Sequence, residues 1–173
     1  MKKLSCSYAV IALFIGFFGN TTMNAKLVMN RITNAAYSFS VSTPGCPWDL
    51  RTWRTDSENG ALFNFVHESD ATATIASRAV HGGSVESEYQ LAMEAFPPLT
   101  DVHHEEKETP WGIIDCYYWG SIKEENLYNA RMYAIHFNNN TYSTTCACLE
   151  ESLAQYENTF NTYVESIYLH PAS

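Results

Sequence analysis

From Trp111 to Cys148 the chain runs as three long stretches of strand-forming residues, separated only by the short polar breaks Lys123 to Asn126 and Asn138 to Asn140. Breaks of that length join neighbouring strands antiparallel, so this part of the chain is held to a meander. The period then changes. Leu149, Leu153, Tyr156, Phe160, Tyr163, Val164 and Ile167 recur at helical spacing, and Glu150 and Glu151 stand at the start, where the helix dipole favours acids. The pattern predicts a closing helix of about five turns with its apolar face on the sheet.

Upstream, Tyr37 to Val41 alternates apolar with small polar residues until Thr43 to Pro47 stops it. Trp48 to Trp53 alternates again, and Asp56 to Gly60 is a turn. Two further strands are expected at Ala61 to His67 and Ala71 to Val80, around an acidic hairpin at Glu68 to Asp70. His81-Gly82-Gly83 breaks the pattern and Ser84 caps a helix. That helix carries Val85, Tyr89, Ala92, Met93 and Phe96 on one face, places Glu86 and Glu88 near its positive end, and stops at Pro97-Pro98. Val102 to Lys107 is extended. The order of elements predicts an α+β fold, an antiparallel meander sheet packed with helices as a sandwich, including the long C-terminal helix.

The N-terminus carries an address. Met1-Lys2-Lys3, the apolar run Ala9 to Phe18 and the small residue Ala25 have the order of a secretory signal, and the run is too short to span a bilayer. Residues 1–25 are read as the signal, 26–36 as a lead-in segment without clear period, and 37–173 as one α+β domain. Met23 stands where a small residue is usual before the cleavage site, which leaves an uncleaved anchor as the alternative. Cys6 precedes the apolar run, so no lipobox is present. A periplasmic or secreted protein is expected, without stable membrane insertion after the signal is removed. Loss of Lys2 and Lys3 takes the formal charge from -9 to -11, which argues against nucleic acid or anionic lipid as the partner.

Cys46, Cys116, Cys146 and Cys148 remain after signal removal, an even set bound for an oxidising space, so at least one disulfide is expected. Folding the meander about Lys123 and Asn139 sets Cys116 and Cys148 level but two strands apart. That is roughly 9–10 Å against a disulfide limit of about 7 Å. Cys46 lies in an adjustable Pro-Gly loop and is the expected partner of Cys146 or Cys148, with Cys116 open as a further choice.

Tyr37-Ser38-Phe39-Ser40-Val41-Ser42-Thr43-Pro44, then Pro47-Trp48, the helix from Ser84, Gly112 before a long strand, and Tyr142 opening the last strand form a layout that resembles the PsbP-like and Mog-like family. The resemblance runs from about Tyr37 to Leu169. It implies an antiparallel sheet packed between helices and an accessory, assembly, chaperone or binding role. It brings no catalytic constellation, and the cysteines are not part of the family's pattern.

Several segments carry possible chemistry. His81-Gly82-Gly83-Ser84 has the form of an esterase oxyanion loop, but the chain holds no Gly-x-Ser-x-Gly elbow to go with it. A Gly-Gly turn into a capped helix explains it. Asp101, His103 and Glu105 alternate and would share one strand face, where carboxylates and imidazole can hold Zn²⁺ or a similar ion. The competing reading is a solvated edge strand whose charges discourage pairing. Cys146 and Cys148 point to one side of a strand, yet lack the two-residue spacing and helix start of a thioredoxin-type pair. Tyr117, Trp119, Tyr128 and Tyr133 make a dense aromatic set that can face a partner on the outer side of the sheet, or else be core.

No set of catalytic residues can be assembled, and no cofactor motif is present. The expected function is that of an exported non-enzymatic binding or accessory protein acting through an exported protein partner, with an assembly, secretion-linked or immunity-type role. The alternative is a periplasmic protein that binds a small ligand or metal.

Overall fold

The computed structural model describes residues 31–56, 60–99 and 101–171. The signal segment therefore lies outside the described residues. Among the described residues, ten strands form two antiparallel sheets. A seven-stranded sheet has the order β3-β4-β5-β9-β8-β7-β6, from β3 (Trp48–Asp56), β4 (Gly60–His67), β5 (Asp70–His81), β6 (His103–Thr109), β7 (Gly112–Lys123), β8 (Asn126–Phe137) and β9 (Asn140–Leu149). A small sheet has the order β1-β2-β10, from β1 (Arg31–Asn34), β2 (Phe39–Ser42) and β10 (Tyr168–Leu169). The end of the expected lead-in segment is thus part of the fold.

The α+β sandwich expected from the sequence is corrected to a mostly β molecule. Helix α1 (Val85–Ala95) has 11 residues and α2 (Leu153–Glu165) has 13, against three strands of 12 residues each in the large sheet. Each helix is a single short element on its face of the sheet, and neither builds a helical layer. The closing helix is shorter than its periodic pattern for a local reason. Leu149 is still paired with Tyr128 in the β9 ladder, and Glu150–Ser152 form a 3₁₀ turn before α2 begins.

Two cores lie on opposite faces of the large sheet. Under α1, Ala92 packs with Trp119, Ala130, Met132, Ala134 and Ala147, backed by Val85, Tyr89, Met93 and Phe96. Ser84 and Ser87 close a capping box at the start of α1: the Ser87 N–H donates to Ser84 Oγ at 3.1 Å and the Ser84 N–H donates to Ser87 Oγ at 3.2 Å. Under α2, Phe160 and Tyr163 meet Phe63, Phe65, Ile75 and Cys146, while Phe39, Val41 and Leu169 of the small sheet close the same core. Strands β8 and β9 are consequently buried on both sides, as the strands of a covered sheet must be.

The first turn of α2 is anchored to the β4–β5 hairpin by Asp70. Its carboxylate accepts from the Thr72 N–H at 3.0 Å, from the Thr72 hydroxyl, and from the Tyr156 hydroxyl at 3.0 Å. Burial pushes this carboxyl up, but the Thr72 and Tyr156 hydrogen bonds outweigh it and leave the group below its ordinary range. Tyr156 moves the other way, pushed up to about 12 by burial and by the bond to Asp70. A lowered carboxyl adds stability above its unfolded value and loses it as pH falls through the folded one; a raised phenol loses its contribution as pH rises past about 10. Folding stability is therefore expected to fall below about pH 4 and above about pH 10. Tyr156→Phe should flatten both limbs in urea unfolding measured across pH, and unchanged limbs would show that this anchor is not responsible.

Candidate functional site

Helix α2 covers the face of the sheet only in part. Beyond its last turn, toward the β6–β7 edge, the same face stays open as a cleft of about 530 Å³. The floor is aromatic and aliphatic: Ile114, Cys116 and Tyr118 from β7, Tyr133 and Ile135 from β8, and Tyr142 from β9. One wall is Val164 and Glu165 of α2 with Ile167 and Leu169 after it, and the other is β6 with Thr109 and Trp111. The volume lies within the range typical of small-molecule sites.

Most polar groups of the floor are already satisfied. Tyr118 donates to Glu105 at 2.9 Å, and Tyr142 donates to the Tyr37 carbonyl at 2.6 Å. Thr144 shares a hydrogen bond with Ser77 at 2.8 Å, and Ser77 in turn meets Tyr163 at 3.0 Å. The Arg131 guanidinium lies 5.6 Å from the Tyr118 ring centre and donates to Glu157 at 2.8 Å. Burial pushes the Cys116 thiol and the Tyr118 phenol up, and takes Tyr133 up to about 12. These groups are neutral at physiological pH and none is an activated base or nucleophile. The arrangement can hold an apolar body.

The residues singled out from the sequence are distributed differently from expectation. Asp101 precedes β6 and is exposed, His103 Nε2 stands 3.9 Å from Glu105, and Glu105 is engaged by Tyr118. Among the described residues no group of three or more His, Cys, Asp or Glu side chains converges as a metal site requires. The Asp101, His103 and Glu105 set is thus not assembled: Asp101 falls outside the strand whose alternation was to align it. His104 turns to the opposite face, stacked on Tyr117 with Nε2 at 2.9 Å from Asp115.

The structure shows no disulfide among the described residues. Cys46, Cys116, Cys146 and Cys148 are all free, and the last three are buried in the core beneath α2. Cys46 precedes β3, which is three strands from β9 in the sheet order. Cys116 on β7 is two strands from β9, and its level there is Thr144, reached through Tyr133.

The aromatic set is split between the two faces. Trp119 is 3% exposed beneath α1, where its indole N–H donates to the Phe96 carbonyl at 2.8 Å. Tyr117 stacks against Tyr89 at 4.5 Å, and Tyr128 lies 5.7 Å from Phe96. Tyr133, 9% exposed, belongs to the other core and to the cleft floor. The four do not form one outer patch, because each face of these strands meets a helix. Of them only Tyr133 belongs to the cleft. Ile114 and Ile135 were not singled out; the parity of β7 and β8 placed them on one face, but nothing local marked that face as open.

No protein-family model matches the sequence, and no curated protein matches it. Solved structures share its fold. The solution structure of cyanobacterial PsbP (CyanoP) from Synechocystis sp. PCC 6803 superposes with a TM-score of 0.63 at 8% identity, covering 90% of this chain and 99% of that one. A protein of Bacteroides thetaiotaomicron superposes with a TM-score of 0.52 at 13% identity, covering 82% of this chain and 48% of the other, so this chain spans about half of its length. The fold is PsbP-like. Neither structure bears on the Mog-like side of the resemblance.

Proposed function

We propose that this PsbP-like chain is an exported, non-enzymatic accessory protein that acts by binding, and that the cleft between α2 and the β6–β7 edge is its binding site. The observation that carries this reading is the aromatic floor of Tyr118, Tyr133 and Tyr142 in a recess of about 530 Å³ beside α2. Export is supported by the order of charge, apolar run and small residue at 1–25, and no helix among the described residues is long and apolar enough to cross a membrane.

A small ligand fits the size of the recess. A second reading, a protein partner, is favoured by Ile122 and Leu127, which face each other across the β7–β8 hairpin at 50% and 46% exposure. Lone exposed apolar residues are common, but a cross-strand pair at a hairpin tip is a ready contact.

The test fills the cleft. Val164→Trp should abolish binding of the compounds that a fragment library yields against the wild-type chain by ligand-observed NMR, while the melting temperature stays within a few degrees. Ile122→Asp should leave those compounds bound. If no compound's binding depends on Val164, the cleft is not the site.

A further inference from the structure

We infer that the ligand of this cleft is uncharged and carries an aromatic ring system. This rests on the reading of the cleft as the binding site, and it follows from how the chain disposes of its own charges there. Glu105 accepts from the Tyr118 hydroxyl at 2.9 Å and has Lys107 beside it on the same strand face. The Arg131 guanidinium is held by Glu157 at 2.8 Å and lies 5.6 Å from the centre of the Tyr118 ring. Strand alternation directs the Glu108 side chain to the opposite face, the one that His104 takes to meet Asp115. At the end of α2 the Thr162 and Tyr163 carbonyls accept from the Ser166 N–H, both at 3.1 Å, and the Val164 carbonyl accepts from the Ile167 N–H at 3.2 Å. Lys107 and Glu165 stand at the mouth, exposed and of opposite sign.

A charged ligand would therefore give up hydration without meeting an unmatched counter-charge inside the cleft. An uncharged one gains burial and avoids that loss. The side chains that still offer surface are the half-buried Trp111, Ile114, Tyr118, Val164 and Ile167. Trp111 is held edge-to-face against Tyr168, with ring centres 5.5 Å apart and planes at 85°, which sets its ring at the cleft wall. Rings packed on rings gain more than the same apolar area packed without them. A flat aromatic ligand thus uses Trp111 and Tyr118 in a way that an aliphatic body of equal size cannot.

The test titrates four probes of one shape into the full chain by calorimetry: naphthalene-2-methanol, its decahydro analogue, 2-naphthoate and 2-naphthylmethylammonium. The naphthyl alcohol should bind at least about tenfold more tightly than either ion, and added salt should leave its affinity unchanged. It should exceed the decahydro alcohol by roughly two- to tenfold, a margin that Trp111→Leu should reduce. Tyr118→Phe removes the O–H that engages Glu105, and should bring the ammonium closer to the alcohol while the naphthoate gains nothing. Either ion binding as tightly as the alcohol, or no binding of the alcohol, would overturn the uncharged class, while fragments that depend on Val164 would still mark the cleft as a site. A decahydro alcohol that binds as well as the naphthyl one would overturn the ring requirement. Alcohol binding that survives Val164→Trp would overturn the cleft itself.

Discussion

Replacing Phe160 by alanine is expected to lower the unfolding free energy by about 3–5 kcal/mol, a shift in melting temperature on the order of 10 °C. Phe160 has no exposed surface and sits at the centre of the core beneath α2. Its ring lies 6.2 Å from Trp48 and 6.3 Å from Tyr156, so truncation opens a cavity among large rings that cannot close over it. Phe160→Leu keeps most of the volume and should recover more than half of the loss. Urea unfolding measures both variants. A loss below about 1 kcal/mol for Phe160→Ala would mean that α2 is not docked as described.

Glu88→Ala is the second large effect, about 2–4 kcal/mol. This carboxylate is 4% exposed on α1, accepts from Ser143 Oγ at 2.6 Å, and stands 3.4 Å from Arg78 Nε. Removing it strands the Ser143 hydroxyl and takes the counter-charge from Arg78. The Arg78 side chain is 33% exposed and can turn to water, which holds the loss below that of a fully buried pair. Glu88→Gln keeps an acceptor for Ser143 and should cost less. In a double-mutant cycle, Arg78→Ala combined with Glu88→Ala should lose less than the sum of the two. Strict additivity would show that the pair does not couple α1 to the sheet.

The meander shows where reading the sequence succeeds and where it slips. The runs of β7, β8 and β9 and the breaks between them were legible, since alternation and polar turns are local properties. The register was not. Folding about Lys123 and Asn139 set Cys116 level with Cys148, whereas Cys116 pairs with Tyr133 and through it stands level with Thr144. The displacement comes from the turn: Glu124 and Glu125 both take positive φ, 52° and 66°, which makes a tight two-residue loop and carries the ladder to Lys123 and Asn126. Glutamate gives no local sign of that conformation. Asn138 and Asn139 do the same at 50° and 61°, and asparagine, which tolerates it, had already marked that turn to within a residue.

The sequence by itself determined the strand runs, the capped helix at Ser84, the apolar face of α2 and the acidic charge, because each depends on neighbours along the chain. Only the tertiary structure decided that the cysteines stay apart, that the aromatic residues divide between two cores, and that the floor around Tyr133 remains open. Those outcomes depend on strand order and on where α2 stops relative to β6 and β7. A helix conceals whatever lies beneath it, and no residue on the strand below records how far that helix extends.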